Sequence, residues 1–365
     1  MKIEKAIKEK GRVYTPDYIV KNILDSIDYN SDILQEHIID NSCGDGAFLI
    51  EVVKRYCEDF TKTQNNLEDL KKDLETYIHG IEINELESQK CIENLNKVVA
   101  KFSVSNVNWD IISANTLSVE KYNNKMSFVV GNPPYVRVHN FSKDYDLIKK
   151  FSFAKSGMTD LYIVFFEIGF NMLSKNGKMS LITPSSWLTS KAGRDLREYI
   201  YVKQSLKKII DLEHFQPFET ATTYCLISVF EKEISNNEVS FYAYNSTLKK
   251  PSFVSNLLYK DILIQNNFYF NSNKILETLK AINNNFSSKQ KNIEVKNGFA
   301  TLCDKVFIAD FSDLENTIDI LKGSRGKWKK CIYPYTKNGK PIELAEIKKT
   351  SPKLYDFLQK NIYFI

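Results

Sequence analysis

The sequence predicts an α/β protein with a doubly wound, mostly parallel sheet, followed by a smaller, partial α+β region. The chain has 365 residues, of which 43% are hydrophobic, enough for a large core. Over its first two thirds, short β-branched runs alternate with amphipathic segments, a pattern that favours parallel strands joined by crossover helices. The alternation stops near residue 235, where Asn and Lys become frequent. We therefore predict a domain of residues 1–240 and the start of a second, 241–365.

The first half of the chain is predicted to contain one helix, followed by four strands with three further helices among the first three of them. Thr15 and Pro16 predict the start of a helix over Asp17–Ile27, as an N-cap followed by a proline in the first turn. Strands are predicted in HIID, TYIHGIEI, VNWDIISA and MSFVVGN. Between them, AFLIEVVKRY, Lys71–Glu75 and Glu85–Val99 have helical spacing.

The next hundred residues continue the pattern. Helices are predicted over Asp160–Leu173 and Leu188–Val202, and strands in KMSLITP, LKKIIDL and TYCLISVFEK, so that the sheet ends near Glu233. Further on, NNNFSSKQKN is polar enough for a linker, and a solvated loop between a helix and a strand fits it equally well.

Composition excludes several classes of protein. The net charge is only +5, from 50 basic and 45 acidic side chains. No apolar run is long enough to span a membrane and the N-terminus lacks a signal sequence, so a soluble, cytoplasmic protein is expected. The six cysteines are scattered without metal-ligand spacing, which argues against structural zinc, and no metal site is predicted. The four histidines lie in different segments, as surface or hydrogen-bonded histidines do.

The strongest motif is VVGNPPYV, in which Asn132, Pro133, Pro134 and Tyr135 follow a hydrophobic strand. Consecutive prolines stop the strand and fix the directions of the neighbouring carbonyls. The Asn132 side-chain oxygen and the Pro133 carbonyl could together accept both hydrogens of one exocyclic amine, with the Tyr135 ring as a stacking surface. The simpler alternative is an Asn-Pro turn.

Three further features lie at predicted strand ends, where open α/β sheets bind ligands. Gly44 and Gly46 follow the first strand and would let the backbone approach a ligand closely, although Leu49 replaces the third glycine of the dinucleotide-binding pattern. Glu82, after the second strand, could bind a ribose diol, and Asn115, after the third, an adenine amine. In isolation each of them would be an ordinary turn or surface residue.

Together these motifs resemble the gamma-class N6-adenine DNA methyltransferases of restriction-modification systems. The resemblance covers about residues 11–233 and rests on GRVYTPDYIV, DNSCGDGAFL, GNPPYV, GKMSLITPSSWL and FETATTYCLISVF, in this order. It implies a Rossmann-like S-adenosylmethionine-dependent methyltransferase fold, S-adenosylmethionine as cofactor and double-stranded DNA as partner. Asn-Pro-Pro-Tyr also occurs in methyltransferases that act on RNA and on protein glutamine.

The resemblance also assigns site residues. It implies a cofactor site formed by Tyr14, Thr15, Pro16, Asn41, Cys43, Gly44, Gly46, Glu82, Ile83, Asn115 and Asn132, although the family more often has Asp at the position of Asn115. Asn132, Pro133, Pro134 and Tyr135 would be catalytic. Phe218 would stack on the target base with Tyr135, and Phe215 is a nearby alternative to Phe218.

A flipped-out adenine would receive the methyl group by direct displacement, oriented by Asn132 and Pro133. Arg137, Lys322, Arg325, Lys327 and Trp328 are the predicted DNA contacts, and a solvated loop explains the last four equally well. Two alternatives stay open. The protein could methylate RNA or protein glutamine, or it could be a non-catalytic DNA-binding subunit with the same fold.

KNGFATLCDKVFI resembles the start of the target-recognition region in large fused enzymes of this class. We therefore expect that region to be incomplete here. We also expect a separate nuclease or specificity subunit as a partner.

Overall fold

The computed structural model of the protein describes residues 14–136, 145–155, 159–218, 223–233, 237–285, 301, 303–322, 326–336 and 339–362. The chain divides into two compact units, Met1–Ser287 and Ser288–Ile365. The boundary predicted between residues 240 and 241 falls inside a strand, Glu238–Asn245. Because this strand is hydrogen-bonded into the sheet of the first unit, the structural boundary lies further along the chain.

A nine-stranded sheet forms the centre of the first unit. Its strands are β1 (Ile38–Asp40), β2 (Ile78–Glu82), β3 (Asp110–Ser113), β4 (Met126–Gly131), β5 (Leu173–Pro184), β6 (Leu206–Asp211), β7 (Cys225–Glu231), β8 (Glu238–Asn245) and β9 (Lys250–Leu258). Their spatial order is β3-β2-β1-β4-β5-β7-β6-β8-β9. A separate two-stranded ribbon pairs β10 (Leu263–Ile264) with β11 (Asn267–Phe268).

The predicted fold class is confirmed. Strands β1 to β5 are parallel to one another, and their order 3-2-1-4-5 is that of a doubly wound sheet, in which the direction of strand addition reverses between β1 and β4. Strand β7 runs antiparallel between β5 and β6. The prediction that the sheet ends near Glu233 is wrong, because β8 and β9 extend it beyond β6.

Helices cover both faces of the sheet. Those of the first unit are α1 (Asp17–Ser26), α2 (Ala47–Thr63), α3 (Leu67–Tyr77), α4 (Glu85–Val99), α5 (Tyr145–Ile148), α6 (Leu161–Met172), α7 (Arg194–Lys203), α8 (Tyr259–Ile262) and α9 (Asn273–Asn285). Helices α1 to α4 pack into one hydrophobic cluster, and α6 and α7 into another, which gives three layers. Among the described residues, no helix is long and apolar enough to cross a membrane.

Two helix starts differ from the sequence prediction. The Thr15 side chain does not cap α1, since its hydroxyl accepts a hydrogen bond from Asn132 instead. The helix predicted from Leu188 begins at Arg194, because Ser185–Leu188 forms a separate 3₁₀ turn. Gly193 then packs so closely on the Trp187 backbone that a side chain would not fit between them.

The second unit is a small α+β structure. It contains α10 (Asp304–Phe307), β12 (Ile308–Ala309), β13 (Thr317–Lys322), β14 (Lys327–Ile332), α11 (Leu344–Thr350) and α12 (Pro352–Lys360). The three strands form an antiparallel sheet in the order β12-β14-β13. Ile332, Ile347 and Leu354 form its buried core.

Candidate active site

A cavity of about 390 Å³ lies at the carboxyl edge of β1, β2 and β4. Among the residues assigned from the sequence, it is lined by Tyr14, Thr15, Cys43, Gly44, Glu82, Ile83, Asn115, Asn132 and Pro134. Its size is within the usual range for sites of small molecules and cofactors. The topology explains its position, because the strands on either side of a switch point open a crevice at their carboxyl ends.

The loop between β1 and α2 forms one side of the cavity. The Cys43 N–H donates to the Ile81 carbonyl (3.0 Å), and the Gly46 N–H donates to the Cys43 carbonyl (2.8 Å), so the loop is fixed to β2. Gly44 and Gly46 have φ of +54° and +94°, values that favour glycine. A side chain at Gly46 would also lie 2.8 Å from the Cys91 sulfur. Gly46 therefore shapes the loop without lining the cavity.

Each carboxylate oxygen of Glu82, at the end of β2, accepts a backbone hydrogen bond. Its Oε2 accepts the Gly44 N–H (3.0 Å), and its Oε1 accepts the Asn84 N–H (2.8 Å). These bonds fix the plane of the carboxylate at the cavity wall. A carboxylate oxygen has more than one lone pair, so both oxygens keep the capacity to accept from a ligand diol.

Asp40, at the end of β1, also lines the cavity, although the sequence analysis did not select it. Its side chain is 1% exposed, and Oδ1 accepts the Ser42 N–H at 3.0 Å. A Cβ on Gly131 would lie 2.9 Å from this oxygen, so Asp40 packs against the end of β4 that leads into Asn132. Burial, together with the negative charge of Glu82, raises the pKa of Asp40 to about 7.

The cavity is acidic. Asp40, Asp45, Glu82 and Glu87 line it, and the part of its lining that the structure describes contains no Lys or Arg. Burial raises the pKa of Asp45, and the negative charge of Glu87 raises it further. Such a lining favours a ligand that carries positive charge.

The other end of the cavity is apolar. Ile83, Leu117 and Phe165 line it together with Ile148 and Leu161, and these provide surface for a flat ring. Asn115 stands at this end, where its Oδ1 accepts the Leu117 N–H (3.1 Å) and so fixes the direction of the amide. Leu161 and Phe165 are four residues apart on α6, a helical spacing that could have revealed this wall in the sequence.

Asn132 connects the cavity with the Asn-Pro-Pro-Tyr loop. Its Nδ2 donates to the Thr15 hydroxyl (3.1 Å), which turns the side-chain oxygen away from Thr15. Its backbone carbonyl accepts from the Ser42 hydroxyl at 3.4 Å. The segment before α1, the loop after β1 and the end of β4 thus meet at one asparagine.

Tyr135 and Phe218 lie next to each other beyond the cavity lining. The Tyr135 hydroxyl donates to the Ile182 carbonyl (3.1 Å), and its ring contacts that of Phe218 edge-on, with centroids 6.2 Å apart. Phe215, the alternative aromatic residue, instead stacks on Tyr244 with centroids 5.1 Å apart. Phe218 reaches Tyr135 because β7 runs antiparallel, which places the β6–β7 connection at the carboxyl edge of β4.

The remaining assigned residues surround the cavity without lining it. Pro16 precedes α1, and Pro133 lies between Asn132 and Pro134, both of which are lining residues. Asn41 is fully buried, and its carbonyl accepts the Thr116 hydroxyl at 2.8 Å.

The predicted DNA contacts are only partly visible. Arg137, Arg325 and the side chain of Lys322 lie outside the described residues. Trp328, in the second unit, is 68% exposed and pairs across the β13–β14 hairpin with Leu321, which is also exposed. Lys327 is exposed on the same strand.

The neighbouring lysines of β14 have acidic partners. Lys329 forms an ion pair with Asp310, and Lys330 forms one with Asp319 at 3.2 Å. Their charges are therefore partly neutralised within the unit, which makes Lys327 the better candidate for a contact with phosphate.

Comparisons with known proteins identify relatives of this chain. The chain is 28% identical to the type II methyltransferase M.BstVI of Geobacillus stearothermophilus, over 96% of this chain and 70% of that protein. It is 24% identical to the type II restriction enzyme and methyltransferase RM.Eco57I of Escherichia coli, over 96% of this chain but only 45% of that protein.

Solved structures show the same fold. The type ISP restriction-modification enzyme LlaGI, solved as a nuclease-deletion mutant in complex with a DNA substrate mimic, superposes with a TM-score of 0.55 at 18% identity, over 71% of this chain and 27% of that one. The family profile described as Eco57I restriction-modification methylase matches residues 30–218, more than half of the chain, a range that includes the Asn-Pro-Pro-Tyr loop, Phe218 and the cavity lining except Tyr14 and Thr15. The chain therefore belongs to the Eco57I restriction-modification methylase family.

Proposed function

We propose that the protein transfers a methyl group from S-adenosylmethionine to the N6 amino group of adenine in double-stranded DNA. The observation that carries this proposal is the position of Asn132, whose side chain is oriented by Thr15 beside a cavity that suits the cofactor. The type II methyltransferases among its relatives support DNA as the substrate.

The cavity fits S-adenosylmethionine in three respects. Glu82 offers two fixed carboxylate oxygens for the ribose diol, and the apolar end with Ile83 and Asn115 suits the adenine ring. The acidic lining around Asp40 suits a ligand with a sulfonium and an ammonium group. Tyr14, Thr15, Cys43 and Gly44 would hold the methionine end. When bound, the cofactor supplies an electrophilic methyl group.

The residues of the Asn-Pro-Pro-Tyr loop would act on the target base. Asn132 and the Pro133 carbonyl accept the two amino hydrogens, which aims the nitrogen lone pair at the cavity and stabilises positive charge as it develops on nitrogen. Because the transfer is a direct displacement, alignment is the main catalytic contribution. The surplus amino proton leaves to water.

Tyr135 and Phe218 would stabilise the flipped base. Extrusion from the duplex costs a few kcal/mol, and stacking on an aromatic ring returns about 1–3 kcal/mol per base. In this structure the two rings meet edge-on at 73°, so a flat base cannot stack face to face on both rings until one of them turns.

The exposed hairpin end with Lys327 and Trp328 would contact DNA outside the catalytic site. A lysine that neutralises a phosphate gives affinity without sequence preference, and a tryptophan can stack on a sugar or base. Arg137, Lys322 and Arg325 are proposed for the same role from the sequence. A separate nuclease or specificity subunit would complete the restriction-modification system.

The test is transfer of labelled methyl from S-adenosylmethionine to mixed-sequence duplex DNA, RNA and protein. We expect label on N6 of DNA adenine, and at least a hundredfold loss of transfer in Asn132→Ala, as when one oriented hydrogen-bonding group of a catalytic site is removed. The control is Asn108→Ala, an exposed asparagine away from the cavity, which should keep the wild-type rate.

Cofactor binding, measured by calorimetry, separates the alternatives. Label on RNA or protein in preference to DNA would overturn the proposed substrate. Failure of the wild type to bind S-adenosylmethionine would favour a non-catalytic subunit, whereas binding without transfer would place part of the recognition function in a partner.

A further inference from the structure

Glu167, on α6, binds the backbone of the segment that follows the Asn-Pro-Pro-Tyr loop. Its Oε1 accepts the Ser152 N–H at 2.9 Å, and its Oε2 accepts the Phe153 N–H at 2.8 Å. Both oxygens of one carboxylate are thus used on consecutive amides. Hydrogen bonds to a charged acceptor are stronger than neutral ones, so this contact fixes the segment firmly.

The fixed segment forms part of the cavity wall. Ile148, four residues before Ser152, is 2% exposed and lines the cavity together with Leu161 and Phe165 of α6. Hydrogen bonds between Phe151 and Ile148 (3.1 Å) and between Ala154 and Phe151 (3.2 Å) continue the segment as a compact turn. The position of Ile148 therefore depends on where Ser152 and Phe153 are held.

Helix α6 also holds the other end of this connection. The Leu161 N–H donates to the carbonyl of Val136, the residue directly after Tyr135, at 2.8 Å. Within the described parts of the connection, α6 thus binds the chain where it leaves the catalytic loop and again at Ser152 and Phe153. One rigid, almost fully buried helix sets both positions.

We infer that Glu167 is a positioning residue that keeps Ile148 against the cofactor and so sets the cofactor's residence time in the cavity. This inference rests on the proposed function. Glu167 does not line the cavity, and it acts through the segment that it holds.

The test variant is Glu167→Gln in the full-length protein. Gln has nearly the same shape, but its amide nitrogen is a donor and cannot accept the second backbone N–H. Loss of a charge-assisted hydrogen bond predicts a rise of about tenfold in the dissociation rate and KM of S-adenosylmethionine. The value of kcat at saturating cofactor should change less than twofold, because the catalytic loop is still held through Val136.

The matched control is Glu198→Gln, an exposed glutamate of α7, which should leave both constants unchanged. Ile148→Ala shortens the wall directly and tests the inference even if Glu167→Gln folds poorly. If Glu167 acts through Ile148, the double variant should show less than the sum of the two single effects on the free energy of cofactor binding.

The experiment distinguishes failure of the inference about Glu167 from failure of the proposed function. Wild-type dissociation rates in Glu167→Gln or in Ile148→Ala, or fully additive effects in the double variant, would overturn the inference and leave the proposed function intact. Absence of S-adenosylmethionine binding by the wild type would overturn both proposals. A fall in kcat with an unchanged KM would show that Glu167 serves the catalytic loop instead of the cofactor wall.

Discussion

Asp40 shows how much a single buried carboxyl can decide in this site. It is nearly inaccessible to solvent, lines the cavity and packs against the start of the catalytic loop. Burial and the charge of Glu82 raise its pKa from 3.8 to about 7. Its charge therefore changes near neutral pH, and the charge of a bound ligand will shift that change.

We predict that affinity for S-adenosylmethionine rises with pH through about 7 and then levels off. A cationic ligand favours the ionised carboxyl, so binding below pH 7 requires loss of a proton, which costs up to about tenfold in affinity per pH unit. Calorimetry between pH 5.5 and 8.5 measures the profile. Asp40→Asn should bind more weakly and lose most of the pH dependence, and an unchanged profile in this variant would contradict the assignment.

The stability of the unliganded protein should change with pH in the direction opposite to its affinity for the cofactor. Because the folded state raises the pKa of Asp40, folding favours the protonated form, so its contribution to the free energy of unfolding is full near pH 4 and declines as the pH rises to about 7. Cofactor binding should therefore stabilise the protein most at neutral and higher pH.

At the same scale, the sequence predicted which residues belong to the site better than it predicted the contacts that those residues make. Glu82 and Asn132 could be selected from strand ends and motifs, whereas Asp40 was not selected, since its burial and its packing against Gly131 are not visible in the sequence. Thr15 was interpreted as a helix cap because local sequence shows only local bonds. Its contact with Asn132 joins positions far apart in the chain, which no local pattern records.

At the scale of elements, the amino ends of three parallel strands are joined by a line of hydrogen bonds. His37 Nδ1 lies 2.8 Å from His79 Nε2, and His79 Nδ1 lies 2.7 Å from an Asp110 carboxylate oxygen. Lys121 and Tyr122 donate to the same carboxylate. The sequence analysis treated the histidines as unrelated. They come together only through the register in which β1, β2 and β3 pair, and the sequence does not show that register.

This line should make the fold sensitive to acid. Burial, reinforced by His79, lowers the pKa of His37 below its ordinary 6.5, so folding favours the neutral ring. Burial alone would raise the pKa of Asp110, but hydrogen bonds from His79 and Lys121 outweigh it and hold the pKa well below its usual range. Stability is therefore lost as the pH falls through about 6.5, and further once Asp110 is protonated.

We expect Asp110→Asn to lower the free energy of unfolding by about 1–3 kcal/mol, the usual cost of losing a charged partner in a part-buried network. Thermal unfolding at pH 8 and pH 6 measures it, and the variant should lose at least as much stability as the wild type between these two values, because that loss comes from His37 while Asp110 stays ionised at both. Asp32→Asn, an exposed residue of the same unit, is the control. Equal stability of Asp110→Asn and the wild type would mean that the line is not stabilising.

Strand prediction failed where buried residues lie on both faces of the sheet. The run EVSFYAYN buries Val239 and Phe241 on one face and Tyr244 on the other. The buried residues of such a strand do not follow one another at a constant spacing of two. The strands before Glu233 were recognised because they are short and apolar.

At the scale of the whole molecule, the proposed cofactor site and the proposed DNA contacts of the β13–β14 hairpin lie in different units. The described residues that line the cavity all lie in the first unit, between Tyr14 and Phe165. The exposed hairpin end with Lys327 and Trp328 belongs to the second. Sequence could not locate the boundary, because the change in texture near residue 235 marks the end of the βα repeats, and the sheet continues past it.

We predict that Lys327→Ala reduces DNA affinity and its dependence on salt. If Lys327 neutralises one phosphate, the slope of the logarithm of the binding constant against the logarithm of salt concentration should fall by about 0.9. Lys329→Ala, in the same strand, is a matched control because this lysine is already paired with Asp310. Fluorescence titrations at several salt concentrations decide between them, and equal slopes for both variants would exclude Lys327 as a phosphate contact.

The ribosome completes β5 and β6 before it makes β7, the strand that lies between them in the finished sheet. Until residue 231 has emerged, the edge of β5 has no native partner on that side, and β6 is the nearest strand that could pair with it wrongly. Chains that stop before β7 should therefore aggregate or be degraded, and the insertion of β7 between β5 and β6 is also the step that brings Phe218 to Tyr135.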